Sequence, residues 1–279
     1  MRKNKTVIQV AIVLCLLPAF AKAQYFNDLY ESLFVPSRNY VVNKCDSPIL
    51  IDGKADEPSW SGAAWTDDFV DIEGLKMAHP ALRTRAKMLW DNNYLYLLAE
   101  LEEPNIWCYY TTRDQIVFHE NDFEIFIDPD CDAENYFEFE LNARNTLFDL
   151  FLPKPYNKGG KADIGWDARG FKSAVSIDGT LNNPTDKDNK WMVEVAIPFE
   201  CLKSKGNIPL PTEGSVLKID FSRVEWNTVI VDGKYRKVIN PRTGRFQAEN
   251  NWVWNAIGKI NMHIPEKWGS LLFSNTIAK

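Results

Sequence analysis

Short stretches of alternating apolar and polar residues, separated by turn residues, run through the chain from about Tyr40 to Phe273. In the clearest stretch, residues 137–142, two phenylalanines and a leucine alternate with two glutamates and an asparagine. Successive side chains of a strand point to opposite faces, so one set would face a core and the other set would face away from it. Further strand-like stretches lie at residues 94–100, 123–128, 146–152, 171–177, 191–197, 216–226, 252–257 and 269–273.

Helical periodicity is confined to short pieces such as residues 56–64, and the strand–helix alternation of a parallel sheet is missing. This pattern predicts an all-β fold, an antiparallel β-sandwich of the immunoglobulin-like or jelly-roll-like kind. No internal repeat or low-complexity linker divides the chain. We therefore expect one domain over residues 41–279, preceded by an irregular segment at residues 24–40.

Residues 1–23 have the layout of a secretory signal peptide. Three basic residues lie within the first five positions, an apolar stretch covers residues 7–20, and Ala21 and Ala23 supply the small-residue exit. The apolar stretch is shorter than the ~20 residues that cross a bilayer, although a retained membrane anchor stays open. We expect a secreted or periplasmic protein without a membrane span after cleavage.

Composition narrows the class of partner. The chain is 45% hydrophobic and 13% aromatic, which suffices for a packed core. Its net charge of −6 argues against a nucleic-acid partner. The cysteines beyond the leader (Cys45, Cys108, Cys131 and Cys201) form no CxxC pair, which argues against zinc. Export would permit disulfides among them, and Cys108 and Cys201 could equally be core thiols.

Six motifs follow one another over nearly the whole predicted domain, and together they resemble carbohydrate-binding module family 9. They are IDGKADEPSW (51–60), AKMLWDNNYLY (86–96), ENDFEIFIDP (120–129), YFEFELN (136–142), WMVEVAIPF (191–199) and HIPEKWG (263–269). The resemblance implies a β-sandwich that binds sugars without cleaving them. In the best-understood branch of the family, two tryptophans clamp a sugar ring, polar side chains bond its hydroxyl groups, and structural calcium occurs.

The resemblance also implies a ligand site. Glu124 and Asn142 match sugar-bonding positions, whereas Glu140 stands where the branch has a basic residue. Phe118 aligns with the first clamp tryptophan, and the second aligns with Met262 or His263, so both clamp positions depart from the branch. The expected ligand-binding residues are Phe118, Glu124, Glu140, Asn142, Arg223, Trp254 and His263.

The chemistry of these residues suits a sugar. Aromatic rings can cover the apolar face of a pyranose, and carboxylates or amides can bond its hydroxyl groups. Structural roles stay open for several residues. Arg223 could pair with Glu124 or Glu140 as a buried ion pair, Trp252 and Trp254 could fill the core, and the cluster Trp107, Tyr109 and Tyr110 could contact ligand instead.

Asp128, Asp130 and Asp132 alternate on one loop, a spacing that suits calcium. The loop lacks the glycine and the full spacing of a twelve-residue calcium loop, so a solvated acidic turn is the alternative. We expect no required cofactor, with calcium as a structural ion.

Three other functions compete. A glycoside hydrolase could use Glu124 with Glu138 or Glu140, but the chain lacks the GxSxG, HExxH and GxxxxGK motifs and has only three histidines. A methionine and a histidine could hold a b-type haem, and a sandwich with a decayed sugar site could serve protein interaction.

We predict non-catalytic binding of a mono- or oligosaccharide, such as a chain end, in support of polysaccharide catabolism and alongside polysaccharide-degrading enzymes.

Overall fold

The structure, a computed structural model, describes residues 37–74, 76–205 and 208–279. The predicted signal peptide, and residues 24–36 of the segment predicted to be irregular, lie outside the described residues. The first strand begins at Asn39, so Asn39 and Tyr40 belong to the sheet rather than to an irregular lead-in. In the described ranges, no helix combines the length and apolar character needed to cross a bilayer.

Strands make up most of the described secondary structure. They are β1 (Asn39–Lys44), β2 (Val70–Asp71), β3 (Thr84–Trp90), β4 (Tyr94–Glu102), β5 (Asp122–Asp128), β6 (Tyr136–Asn142), β7 (Leu147–Leu152), β8 (Lys172–Asp178), β9 (Lys190–Pro198), β10 (Val216–Glu225), β11 (Thr228–Val231), β12 (Lys234–Lys237), β13 (Asn250–Val253) and β14 (Gly269–Ile277). Within the described ranges, the α-helices are the single turns α1 (Pro58–Ser61) and α2 (Phe199–Leu202).

One sheet contains all strands except β11 and β12, which form a separate hairpin. Its order is β7-β6-β5-β10-β14-β1-β3-β4-β9-β8, and β13 branches from β10 to pair with β2. Its strand pairs are antiparallel, except that β1 runs parallel to both β14 and β3. Parallel neighbours need long connections rather than tight turns, which the distance in sequence between β1 and β14 provides. The predicted all-β sandwich is confirmed, with β1 as a parallel strand that the alternation did not reveal.

The sheet curls so that its two halves enclose a common core. Phe123 and Ile125 of β5 pack in the same apolar cluster as Leu95 and Leu97 of β4. In β6, the alternation is the predicted one, because Phe137, Phe139 and Leu141 all join this cluster.

Strands β5 and β6 are buried on both faces, since all seven residues of each strand are buried. A second apolar cluster covers the face away from the main core, and it includes Phe126 of β5 and Tyr136 of β6. Its other members come from β2 and the residue after it, the 3₁₀ turn before β5, β7, β13 and the segment between β13 and β14. The polar residues of β5 and β6 therefore lie between apolar layers rather than in open solvent.

Arg223 of β10 lies on the core face, at the strand position that pairs with Phe123 and Trp252. Its guanidinium donates to the carboxylates of Glu103 and Glu225, each at 2.8 Å, and to the Glu102 carbonyl at 2.8 Å. The buried ion pair expected for Arg223 therefore exists, but its partners are Glu103 and Glu225. Glu124 pairs with Ser222, which lies on the opposite face of β10, and Glu140 faces the same way as Glu124.

Glu194 of β9 joins two of the sequence motifs. Its side chain accepts hydrogen bonds from the Trp60 indole N–H and from the backbone N–H groups of Asp52 and Gly53, each at 2.9 Å. Gly53 has φ +84°, and a Cβ there would lie 2.9 Å from the Ser176 nitrogen, so glycine is required. The first and fifth motifs thus meet around one buried carboxylate, a structural role rather than a ligand site.

Cys45, Cys108, Cys131 and Cys201 are unpaired thiols in the described chain. Cys45, Cys108 and Cys201 are buried, and burial raises the pKa of Cys108 and Cys201 to about 12. The interpretation of Cys108 and Cys201 as core thiols agrees with this arrangement.

Replacing the Glu194 carboxylate should destabilise the fold, because three buried donors would lose their acceptor. Glu194→Ala is expected to lower the free energy of unfolding by about 3–5 kcal/mol. Urea denaturation followed by tryptophan fluorescence measures this. The control is Glu200→Ala, which removes an exposed pair with Lys203 and should cost less than ~1 kcal/mol. Equal losses in the two variants would contradict the role given to Glu194.

Removing the Arg223 guanidinium should leave the buried Glu103 carboxylate and the partly buried Glu225 carboxylate without their cation. Arg223→Met is therefore expected to lower the free energy of unfolding by about 3–5 kcal/mol. The matched control is Arg83→Met, because Arg83 pairs with Glu100 and Glu102 at the surface. Its loss should stay below ~1 kcal/mol in the same denaturation assay. An Arg223 variant as stable as the Arg83 variant would show that the buried triad contributes nothing.

Candidate functional site

Four acidic side chains lie side by side on the face of β5 and β6 that points away from the main core. Glu124 and Glu140 are directly opposed across the two strands, Asp122 pairs with Asn142, and Glu138 pairs with Phe126. We call Asp122, Glu124, Glu138 and Glu140 the carboxylate row. All four are buried, and one oxygen each of Asp122, Glu124 and Glu140 lies within 4.8 Å of the other two.

Burial dominates the electrostatics of the carboxylate row. It raises the pKa of Glu124 to about 7, and it raises the pKa values of Asp122, Glu138 and Glu140 well above their ordinary range. The charged neighbours that shift these pKa values are themselves carboxylates. Both carboxylate oxygens of Asp122 and one of Glu138 have no hydrogen-bond partner. The row thus brings together buried oxygens whose hydrogen-bonding capacity the protein does not fill.

Phe118 lies at the Glu140 end of the row. Its backbone N–H donates to Glu140 at 2.9 Å, and its ring packs beside His119 with 4.7 Å between ring centroids. The Phe118 side chain is 37% exposed. An aromatic ring held next to the carboxylates and open to solvent is a suitable surface for the apolar face of a sugar.

His263 and Tyr156 lie at the other end of the row. The Tyr136 hydroxyl and the Nδ1 atom of His263 are 3.1 Å apart, and burial lowers the pKa of His263 to about 4. The Tyr156 ring packs edge-on against His263 with 4.5 Å between centroids and is 47% exposed. Burial raises the pKa of Tyr156, and the charges of Glu138 and Glu140 raise it further. Tyr156 is therefore the exposed aromatic ring at this end, and His263 supports it from below.

Asn142 has mainly a structural role. Its side-chain oxygen accepts the backbone N–H groups of Arg144 and Thr146, and its Nδ2 donates to the Tyr110 carbonyl at 3.0 Å. These bonds fix the β6–β7 turn, where Asn145 has φ +60°. Three of the four hydrogen-bonding positions of the amide are thus occupied by the protein itself.

Arg223 and Trp254 do not join the carboxylate row. Arg223 lies on the core face of β10, and its guanidinium is bonded within the triad described above. Trp254 is 1% exposed and packs against Phe221 in the main core, with its ring close to the backbone of Gly269. The prediction that both residues contact ligand does not fit these positions, whereas the alternative core role of Trp254 does.

The acidic loop after β5 brings its three aspartates together. One oxygen each of Asp128, Asp130 and Asp132 lies within 4.8 Å of the others. Both oxygens of Asp128 accept backbone N–H groups of the same loop, from Cys131 at 3.0 Å and Ala133 at 2.9 Å. These bonds explain the loop shape without an ion, and calcium at this loop stays a prediction.

The segment before β5 anchors the Phe118 end. The Glu120 carboxylate accepts the backbone N–H groups of Tyr109 and Tyr110, and the Asn121 side-chain oxygen accepts that of Trp226. The Trp226 indole in turn donates to the Phe118 carbonyl at 2.9 Å. The aromatic cluster around Trp107 thus belongs to the support of Phe118.

Sequence reasoning missed three residues of the site as ligand contacts. Asp122 and Glu138 share the face of Glu124 and Glu140 through simple alternation, so the strand period could have identified them. Tyr156 follows β7 in a short 3₁₀ turn and carries no local signal of its position.

Comparison with protein families gives one match that covers most of the chain, to the carbohydrate family 9 binding domain-like model over residues 51–275. A related sequence is Exoglucanase XynX of Acetivibrio thermocellus, 26% identical over 151 residues. That match covers 54% of this chain and 11% of the relative, so the chain corresponds to a small part of a much longer protein.

Solved structures agree in fold. A family 9 carbohydrate-binding module from Caldicellulosiruptor kristjanssonii in complex with cellotriose is 17% identical, with a TM-score of 0.54 over 85% of this chain and 94% of that one. A protein from Bacteroides uniformis is 16% identical, with a TM-score of 0.60 over 86% of this chain and all of that one. With the family match over residues 51–275, the chain belongs to the carbohydrate family 9 binding domain-like family.

Proposed function

We propose that this protein binds a mono- or short oligosaccharide, such as a chain end, at the carboxylate row between Phe118 and Tyr156, without cleaving it. The observation that carries the proposal is the pairing of two partly exposed aromatic rings with a row of acceptors, in a chain of this family. The rings would cover apolar sugar faces, and the row would accept hydrogen bonds from hydroxyl groups.

The excess of acceptors constrains the ligand. Asp122 and Glu138 keep carboxylate oxygens without partners, so a ligand must bring several donors to satisfy them. Sugars carry a hydroxyl donor on most ring carbons, and bonds from hydroxyl groups to carboxylates are short and strong. An apolar ligand would leave these buried acceptors unsatisfied.

The proposal extends to the place of action. The layout of residues 1–23 supports export to the periplasm or cell exterior. Relatives named as an exoglucanase and a xylanase support a role alongside polysaccharide-degrading enzymes.

Isothermal titration calorimetry of the purified chain against a panel of mono- and oligosaccharides tests the binding. Saturable heat with at least one sugar is expected, without release of new reducing ends during the titration. A folded chain that binds none of the panel would contradict the proposal. Release of reducing ends would show that the protein cleaves the sugar, and the function would then be glycoside hydrolysis rather than binding.

The two rings should each contribute to affinity. Phe118→Ala and Tyr156→Ala are each expected to weaken binding of the best sugar about tenfold, because each removes an aromatic surface worth about 1.4 kcal/mol. The control is Trp65→Ala, since Trp65 lies under Arg85 and Lys87 on the other outer face of the sandwich. If both Phe118→Ala and Tyr156→Ala kept the wild-type sugar affinity, the sugar would bind elsewhere. The Trp107–Tyr110 cluster would then be tested.

A further inference from the structure

We propose that Asp122, Glu124 and Glu140 form a divalent-cation site that takes calcium, and that the bound ion coordinates hydroxyl groups of the carbohydrate. The ion site is argued from the geometry of the carboxylate row alone. The contact between the ion and sugar hydroxyl groups rests on the proposed function.

The distances fit one ion. One oxygen each of Asp122, Glu124 and Glu140 lies within 4.8 Å of the other two. Calcium binds oxygen at about 2.3–2.6 Å, so oxygens up to about 5 Å apart can share one ion between them. The three side chains come from two adjacent strands of the sheet, which hold them in place without a flexible loop.

The Asp122 carboxylate, buried beside other carboxylates, points to a cation as its partner. Asp122 is 0% exposed, and neither of its carboxylate oxygens has a hydrogen-bond partner. Burying a carboxylate without a cation or a hydrogen-bond donor is unfavourable. On the core face of the neighbouring strand β10, the chain supplies a cation of its own, because Arg223 bonds Glu103 and Glu225. Around Asp122, the charged neighbours that shift its pKa are carboxylates.

The other acidic clusters of the described chain have partners of their own. Asp128 gives both oxygens to backbone N–H groups of its loop. Asp149 pairs with Arg113 and accepts the Ala168 backbone N–H at 2.7 Å. Of the three clusters with suitable spacing in the described residues, the one containing Asp122 is thus the one with a fully buried carboxylate that lacks any partner.

The donor set favours a hard divalent cation such as calcium over zinc. All three ligands are carboxylate oxygens, which hard cations prefer, whereas zinc favours histidine and cysteine. Calcium takes six to eight oxygens, so three protein ligands leave several positions for water or for sugar hydroxyl groups. Phe118 and Tyr156, the exposed rings at the two ends of the row, would then hold the sugar over the ion.

The first experiment measures calcium binding to the chelator-treated chain by thermal unfolding and calorimetry. At a hundred times the dissociation constant, calcium is expected to raise Tm by about 5–10 °C. The Asp122→Asn/Glu124→Gln variant should lose this rise. It should also melt above the wild-type chain in EDTA, because its buried side chains no longer carry charge.

The matched control is Asp130→Asn/Asp132→Asn, which alters the exposed acidic loop and should keep the rise. A wild-type chain whose Tm does not respond to calcium would overturn the site. A rise that survives in Asp122→Asn/Glu124→Gln and disappears in the control would overturn it as well, because the ion would then bind at the loop.

The second experiment titrates the best sugar with calcium present and with EDTA. We expect EDTA to weaken sugar binding at least tenfold in the wild-type chain. Equal sugar affinity in both buffers would overturn the role of the ion in sugar binding and leave the proposed function standing. A calcium-dependent rise in Tm without binding of any sugar would overturn the proposed function and leave the ion site standing.

Discussion

Burial on both faces of the central strands is the constraint on which the rest of this structure depends. Every residue of β5 and β6 is buried, so each polar side chain on these strands must find a partner inside the protein or in a ligand. The chain meets this demand unevenly. Glu140 accepts the Phe118 backbone N–H group, whereas both carboxylate oxygens of Asp122 lack a hydrogen-bond partner. On the core face of the neighbouring strand β10, by contrast, Arg223 bonds both Glu103 and Glu225.

The site depends on neighbours that hold its parts without touching the ligand. Glu120 and Asn121 immediately precede Asp122, and their side chains fix the backbone of Tyr109 and Trp226. Trp226 then holds the carbonyl of Phe118, while Glu140 holds its N–H group. At the other end, the largely buried His263 supports Tyr156. Phe118 is thus tied to Glu140 of the carboxylate row through its backbone, whereas Tyr156 is held by its contact with His263.

Much of the fold and part of the site followed from alternation alone. The period of two placed Phe137 and Phe139 in the core and placed Glu140 on the opposite face, as the structure shows. The same period, applied to β5, would have added Asp122 to the site. Arg223 was predicted to contact ligand, with a buried ion pair to Glu124 or Glu140 as the alternative. The structure gives it an ion pair, but with Glu103 and Glu225. Alternation along one strand shows which residues share a face, but it does not show which loop brings a partner to that face.

By itself, the sequence determined the all-β class, the family and the acidic character of one sheet face, because these depend on local periodicity and on ordered motifs. Only the tertiary structure decided which acids are compensated and which are not. Glu103 gains Arg223 from 120 residues away, whereas Asp122 gains no partner. Tyr156 became part of the site only through its contact with His263, far along the chain. The physical reason is that charge compensation and aromatic exposure depend on every group within a few ångströms, and those groups are set by packing between distant segments.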